Sequence, residues 1–220
     1  MTKGKFFVID GTDGSGKATQ TELLIQRMRA EGFPVETVSF PRYETPTGKI
    51  VKKYLDGGFG TLEQVGPKEA SRLYADDRHA ASAEIRSWLD AGANVVANRY
   101  VASNMGHQGA KIATADERRA FFEWNDRLEY GEFGISRPDL NVILHVPAEI
   151  GQKLVDRRGT THDIHEQSLD HLKAAERTYL EIAKMFPGFV LIECVENGQI
   201  LPREAIHEKV WRIIRPLLAR

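Results

Sequence analysis

Short apolar runs alternate along this chain with longer segments in which apolar residues recur at helical spacing. Five runs read as strands: Lys5 to Asp10, Val35 to Phe40, Asn94 to Asn98, Asn141 to Val146 and Phe189 to Glu193. Each is rich in β-branched, aromatic or other apolar residues, as strands covered on both faces should be. The segments between them read as helices. Lys17 to Glu31 carries Leu24, Ile25 and Met28 at helical spacing and ends before Gly32; Pro67 to Ala91 opens on proline and stops before Gly92. Glu166 to Met185 and Arg203 to Leu218 follow near the end of the sequence. Strands alternating with helices predict an α/β fold, a doubly wound parallel five-stranded sheet with helices on both faces. Ligands of such sheets sit beyond the carboxyl ends of the strands, where the winding reverses. The loops that follow the strands are therefore where chemistry is expected.

A length of 220 residues suits one domain, 1–220, with a single substantial core. The 30 basic side chains balance 31 acidic ones, so no global charge draws the chain to nucleic acid or an anionic membrane, and any anion site must be local. The N-terminal apolar stretch meets Asp10 too early for a signal peptide and nothing later approaches a membrane span, which leads to the expectation of a cytoplasmic protein. Cys194, the single cysteine, forbids an internal disulfide and reads as a small buried residue near a strand end.

One such loop carries a recognisable pattern. Gly11-Thr12-Asp13-Gly14-Ser15-Gly16-Lys17 has the G-x-x-x-x-G-K spacing of a phosphate-binding loop, after a predicted strand and at the start of a predicted helix. Glycines let successive N–H groups converge on phosphate oxygens, the helix N-terminus adds positive potential, and Lys17 supplies a full charge. The fold is thereby narrowed to the P-loop NTPase type. Position 18 departs from the pattern: Ala18 stands where such loops carry the hydroxyl that ligates magnesium, so the metal must rely on phosphates, waters and carboxylates such as Asp10 or Asp13. Thr19 remains as a donor to phosphate. Asp13 is unusual inside an anion cradle, where a carboxylate repels phosphate unless it holds a metal or a sugar hydroxyl.

The third predicted strand runs into "NVVANRYVASNMGHQGAK", which sets Arg99 at the carboxyl end of the sheet, with Asn104, His107 and Gln108 following. Together with the loop, "SFPRY" from Ser39 to Tyr43 and "SRLYADDRHAAS" from Ser71 to Ser82, this combination resembles the thymidylate kinase family. The resemblance implies transfer of the terminal phosphate of ATP to thymidine monophosphate with magnesium, by a homodimer. It implies Phe40 near the thymine ring, Arg42 and Tyr43 near the acceptor phosphate, and Arg99 holding that phosphate. It also places Tyr74 and Arg78 in the base pocket, one turn apart and so on one helix face, with Arg78 reaching a thymine carbonyl, Asn104 touching the base and Asp13 meeting the 3′-hydroxyl.

The sequence departs from the family's pattern at Asn98, where an aspartate usually begins the "DRY" motif, and at Asp10, where glutamate is commoner. With Ala18, these weaken each protein contact to magnesium. A lid segment is expected at about 151–166, where "DRRGTTHD" offers Arg157 and Arg158 to the transferred group, with His162 and His165 as loop polars. Two other readings stay open: a kinase of the same fold acting on another nucleotide or nucleoside, and a nucleotide-binding regulatory protein without turnover.

Overall fold

The computed structural model describes residues 2–61, 64–156 and 169–218. All five predicted strands are present: β1 (Phe6–Gly11), β2 (Val35–Ser39), β3 (Asn94–Asn98), β4 (Leu140–His145) and β5 (Phe189–Glu193). They form one parallel sheet in the order β2-β3-β1-β4-β5. β1 lies between β3 and β4, with Phe6 opposite Val95 and Phe7 opposite Leu140. The winding reverses at β1, and the crevice beyond its carboxyl end is the ligand position of this topology.

Side chains of β1 alternate between two cores. Phe7 and Ile9 join Leu24 and Met28 of α1 (Lys17–Ala30) and Val210 and Trp211 of α8 (Arg203–Ile214) on one face. Phe6 and Val8 join the other core, built with Ile85 and Leu89 of α3 (Pro67–Asp90), Met105 of α4 (Val101–Gly109), Phe122 of α5 (Ala115–Asp126) and Ile182 of α7 (Leu169–Met185). The strand is buried at every position, which is why its sequence reads as a continuous apolar run.

Two remaining helices are α2 (Pro46–Leu55) and α6 (Ala148–Asp156). Helices α2, α4, α5 and α6 are not among the expected elements, although two of them carry terminal signals. Thr45 caps α2, its Oγ1 accepting from Gly48 N at 3.1 Å, with Pro46 at the first turn. Thr114 caps α5, its Oγ1 accepting from Glu117 N at 3.3 Å and donating to Glu117 Oε2 at 2.7 Å. Helix α5 continues into a π-helical turn, Arg127–Glu132. Helix α8 stops four residues short of the expected Leu218, at Ile214, because Pro216 has no N–H to continue it; a 3₁₀ turn, Arg215–Leu217, follows. Residues 166–168 of the expected penultimate helix lie outside the described residues. A small antiparallel hairpin, β6 (Val195–Glu196) with β7 (Gln199–Ile200), follows β5. Cys194 lies between β5 and β6, buried, and burial pushes its thiol up to about 12.

Candidate active site

The loop from β1 into α1 is shaped by its glycines. Gly11 and Gly14 have φ of +141° and +79°, and a Cβ would lie 2.4 Å from Leu144 O at the first and 2.3 Å from Gly151 O at the second. Gly16 is left-handed at φ +85° but faces open space. The back of the loop is thus packed, against β4 and against α6, while its front is open. Helix α1 has no side-chain cap, so its first-turn N–H groups and the positive end of its dipole are available to an anion. The buried Lys17 ammonium donates to Gly11 O at 3.0 Å and Thr12 O at 2.7 Å, and lies 3.7 Å from Asp13 Oδ1. Ala18 is exposed and Thr19 is half-buried.

Asp10, expected on the metal side, is fully buried and has both oxygens engaged. Oδ1 accepts from Gly11 N at 2.9 Å, Ser103 Oγ at 2.6 Å and Tyr179 Oη at 2.9 Å, and Oδ2 accepts from Tyr100 N at 3.2 Å. It ties the loop to α4 and α7. Asp13 stands differently. Its carboxylate pairs with Arg99, the residue after β3. Arg99 is held at φ +66°, a conformation that costs an ordinary residue of order 1–3 kcal/mol and collects at functional sites. Burial alone would raise the Asp13 carboxyl, but the Arg99 and Lys17 charges beside it prevail and hold it well below the usual carboxylate range. Burial opposes the Arg99 charge, yet Asp13, Tyr179 and Asp10 raise its affinity for the proton. His107 is pushed down to about 3, first by burial and then by Arg99, His171 and Lys17, so at neutral pH it offers hydrogen bonds and no charge.

Beside this ion pair opens a cleft lined by apolar and aromatic side chains with a few polar groups among them, the lining of a small-ligand site. Asp13, which belongs to the phosphate loop, lines it together with Arg99 and His107, which contact Asp13; Phe40, Tyr74, Arg78, Asn104 and Gln108 line the far wall, and Tyr43 is its exposed member. Every residue expected on the acceptor side lines it except Arg42. That side chain is held by Asp77, with Nε 3.1 Å from Oδ1 and Nη2 2.9 Å from the backbone carbonyl. Asp77 also accepts from Arg42 N at 2.8 Å and so fixes the Phe40–Tyr43 turn, which contains a cis Phe40–Pro41 bond.

Deep in the wall, Arg78 is 1% exposed and forms a two-pronged pair with Glu129 of the π-helical turn, Nε to Oε2 at 2.6 Å and Nη2 to Oε1 at 2.5 Å. Its Nη1 donates to Tyr100 O at 3.3 Å. Glu129 and Asp77 were invisible to sequence reasoning, because each meets its arginine only through the fold. The Gln108 amide is completely buried with neither atom hydrogen-bonded among the described residues, an arrangement that calls for a partner from the cleft.

A family model for thymidylate kinase matches residues 9–208. The chain belongs to the thymidylate kinase family. It is 32% identical over 181 residues to the thymidylate kinase of Mycobacterium tuberculosis H37Rv, covering 80% of this chain and 84% of that one. It is 27% identical over 218 residues to a probable thymidylate kinase of Thermococcus kodakarensis, covering 97% and 98%. Among solved structures, the thymidylate kinase of Candida albicans superposes with a TM-score of 0.77 at 21% identity, over 98% of this chain and 92% of that chain, a likeness of fold. As a member of this family the protein is a nucleoside monophosphate kinase.

In thymidylate kinase terms, the segment expected to act as a lid begins with α6, whose Gly151 lies against the phosphate loop: a Cβ on it would be 2.8 Å from Asp13 O. Two glycines, Gly14 and Gly151, thus let α6 and the loop meet backbone to backbone. Arg157, Arg158, His162 and His165 lie outside the described residues.

Proposed function

We infer that the protein transfers the terminal phosphate of ATP to thymidine monophosphate, giving ADP and thymidine diphosphate. The observation that carries this reading is one cleft that shares Asp13 with the phosphate loop, has the cation Arg99 paired to it there, and has the hydrogen-bonding groups of Arg78, Asn104 and Gln108 in its far wall. In this reading the loop N–H groups, Lys17 and Thr19 hold the ATP phosphates. The monophosphate lies along the cleft with its phosphate toward Arg99 and the Arg42–Tyr43 turn, its 3′-hydroxyl toward Asp13, and its base between Phe40 and Arg78, beside Tyr74, Asn104, His107 and Gln108. The acceptor phosphate oxygen attacks in line. An ionised phosphate monoester is already a nucleophile, so positioning and charge stabilisation do most of the work. In the same reading Arg157 and Arg158 supply positive charge to the migrating group. Homodimerisation and a cytoplasmic location belong to the same reading and are drawn from the resemblance and the sequence; no helix among the described residues is long and apolar enough to cross a membrane.

Magnesium enters as a companion of the ATP phosphates, and the protein's own donors suit it poorly. Asp10 is taken by four donors, Asp13 is paired with Arg99, and position 18 has no hydroxyl. Among the described residues no group of three or more metal-binding side chains comes together. Asn98 Oδ1 is buried without a hydrogen-bond partner, a neutral oxygen where a carboxylate would bind the metal more strongly. Ala18→Ser combined with Asn98→Asp is expected to lower the magnesium concentration at half-maximal rate; a titration that leaves it unchanged or raises it means that neither position governs the metal.

Choice of base tests the reading directly. A guanidinium at the far wall finds an acceptor in the thymine carbonyl and a second donor in the cytosine amino group, a mismatch of about 2–5 kcal/mol in a closed pocket, or roughly 30-fold to several thousand-fold. Loss of the 5-methyl group costs less, about 1–2 kcal/mol. Specificity constants are expected to fall in the order thymidine, deoxyuridine and deoxycytidine monophosphate. A preference for the cytosine nucleotide overturns this reading.

A further inference from the structure

We propose that Glu129 is a positioning residue that sets the hydrogen-bond polarity of the cleft's far wall, fixing Arg78 as donor beside Asn104 as acceptor, so that the site takes an imide edge and refuses an amino-pyrimidine edge. The proposal deepens the acceptor reading above and rests on it.

The geometry begins with the π-helical turn Arg127–Glu132, which carries Glu129 into a completely buried position. One carboxylate there serves two pocket residues. It takes the Nε and Nη2 side of Arg78 at 2.6 and 2.5 Å, and its Oε1 also accepts from Asn104 Nδ2 at 3.2 Å. A guanidinium has five N–H groups, and with Glu129 on that side and Tyr100 O on Nη1 some remain for a ligand in the cleft that Arg78 lines.

The Asn104 amide is oriented by the same carboxylate. Nδ2 faces Glu129 Oε1, Ser71 O at 3.2 Å and Asn125 Oδ1 at 3.0 Å. A carboxylate and a backbone carbonyl can only accept, so the amide nitrogen must be the end that faces them. The other end, Oδ1, is left buried without a protein donor on a residue that lines the cleft. A buried acceptor without a partner is costly, and a ligand N–H relieves it.

A donor beside an acceptor matches thymine or uracil, whose carbonyl at C4 accepts and whose neighbouring N3–H donates. Cytosine presents the reverse, an amino donor beside a bare ring nitrogen, and meets both wall groups with the wrong sign. Replacing the carboxylate by an amide changes the instruction. In Glu129→Gln a single amide oxygen replaces the two that serve Arg78 Nε, Arg78 Nη2 and Asn104 Nδ2, so at least one of these donors meets an NH₂ group instead of an acceptor and the Arg78–Asn104 geometry at the cleft is no longer held.

The test compares wild type and Glu129→Gln for specificity constants with thymidine and deoxycytidine monophosphate at saturating ATP, with the KM for ATP and the melting temperature followed in parallel. The ratio of the two constants is expected to fall at least tenfold, mainly through KM, as loss of an interaction remote from the reacting atoms should, with the KM for ATP unchanged. A folded Glu129→Gln whose ratio stays within twofold of wild type overturns the proposal, since a merely structural pair would lower both constants together. If Glu129→Gln does not fold, Glu129→Asp decides. It keeps the charge on Arg78 but shortens the reach to Asn104, and a three- to tenfold smaller ratio supports the proposal while an unchanged ratio overturns it. Wild-type enzyme that fails to prefer the thymine nucleotide overturns the acceptor reading together with this one, so the two failures are told apart.

Discussion

Lys17→Ala is expected to lower turnover by roughly 10²-fold or more, about 3 kcal/mol of transition-state stabilisation, while the protein stays folded. The ammonium is the one full positive charge that the loop itself contributes, on the first residue of α1. In the structure it satisfies two loop carbonyls, Gly11 O and Thr12 O, and their loss as hydrogen-bond partners costs about 1–3 kcal/mol of stability, a modest fraction of a domain's total. Asp13 keeps Arg99 as its partner, so the variant does not strand a buried carboxylate. Rate and melting temperature measured on the same preparation separate the two effects. A rate within a few-fold of wild type removes the loop from the mechanism.

Arg78→Met is expected to act on stability as strongly as on substrate choice. The arginine and Glu129 are 1% and 0% exposed, and removing one partner of a buried pair leaves a charge without compensation, a loss of about 3–5 kcal/mol. The substitution is therefore not a clean probe of base choice, because it also strands Glu129. Arg78→Met with Glu129→Gln is therefore expected to recover part of the lost stability, and the double-mutant cycle should show a coupling above about 1 kcal/mol. Denaturant unfolding of the single and double variants measures it. A single variant less than about 1 kcal/mol below wild type would mean that the pair contributes little and that the cleft wall is soft.

The parts of this fold that could be read from sequence are those with local signatures. Strands such as Phe6–Gly11, buried on both faces, announce themselves as apolar runs, and the phosphate loop as glycines at fixed spacing before a lysine. Arg99, Asn104, His107 and Gln108 could be singled out as polar residues following a strand end. Their helix, α4, was missed because Val101–Gly109 is short and has no side-chain cap to mark its start. What could not be read is long-range pairing. Asp77 and Glu129 look like solvated charges on helical segments, yet they are buried because Arg42 and Arg78 come to them from 35 and 51 positions away. Asp10 likewise looked like a metal ligand from its place at the strand end, and only the convergence of Ser103, Tyr100 and Tyr179 gives it four donors. The same fold that hides these partners from the sequence makes them the supports of the cleft.

Transfer of phosphate from ATP to thymidine monophosphate is tested by its products and their stoichiometry. Purified protein with ATP and magnesium is given no acceptor, then thymidine, deoxyuridine or deoxycytidine monophosphate in turn, with ADP and nucleoside diphosphate quantified together. ADP formation that requires an acceptor, equals the thymidine diphosphate formed, and is fastest with thymidine monophosphate is the predicted result. ADP formation indifferent to the acceptor, or none with any of the three, would contradict it.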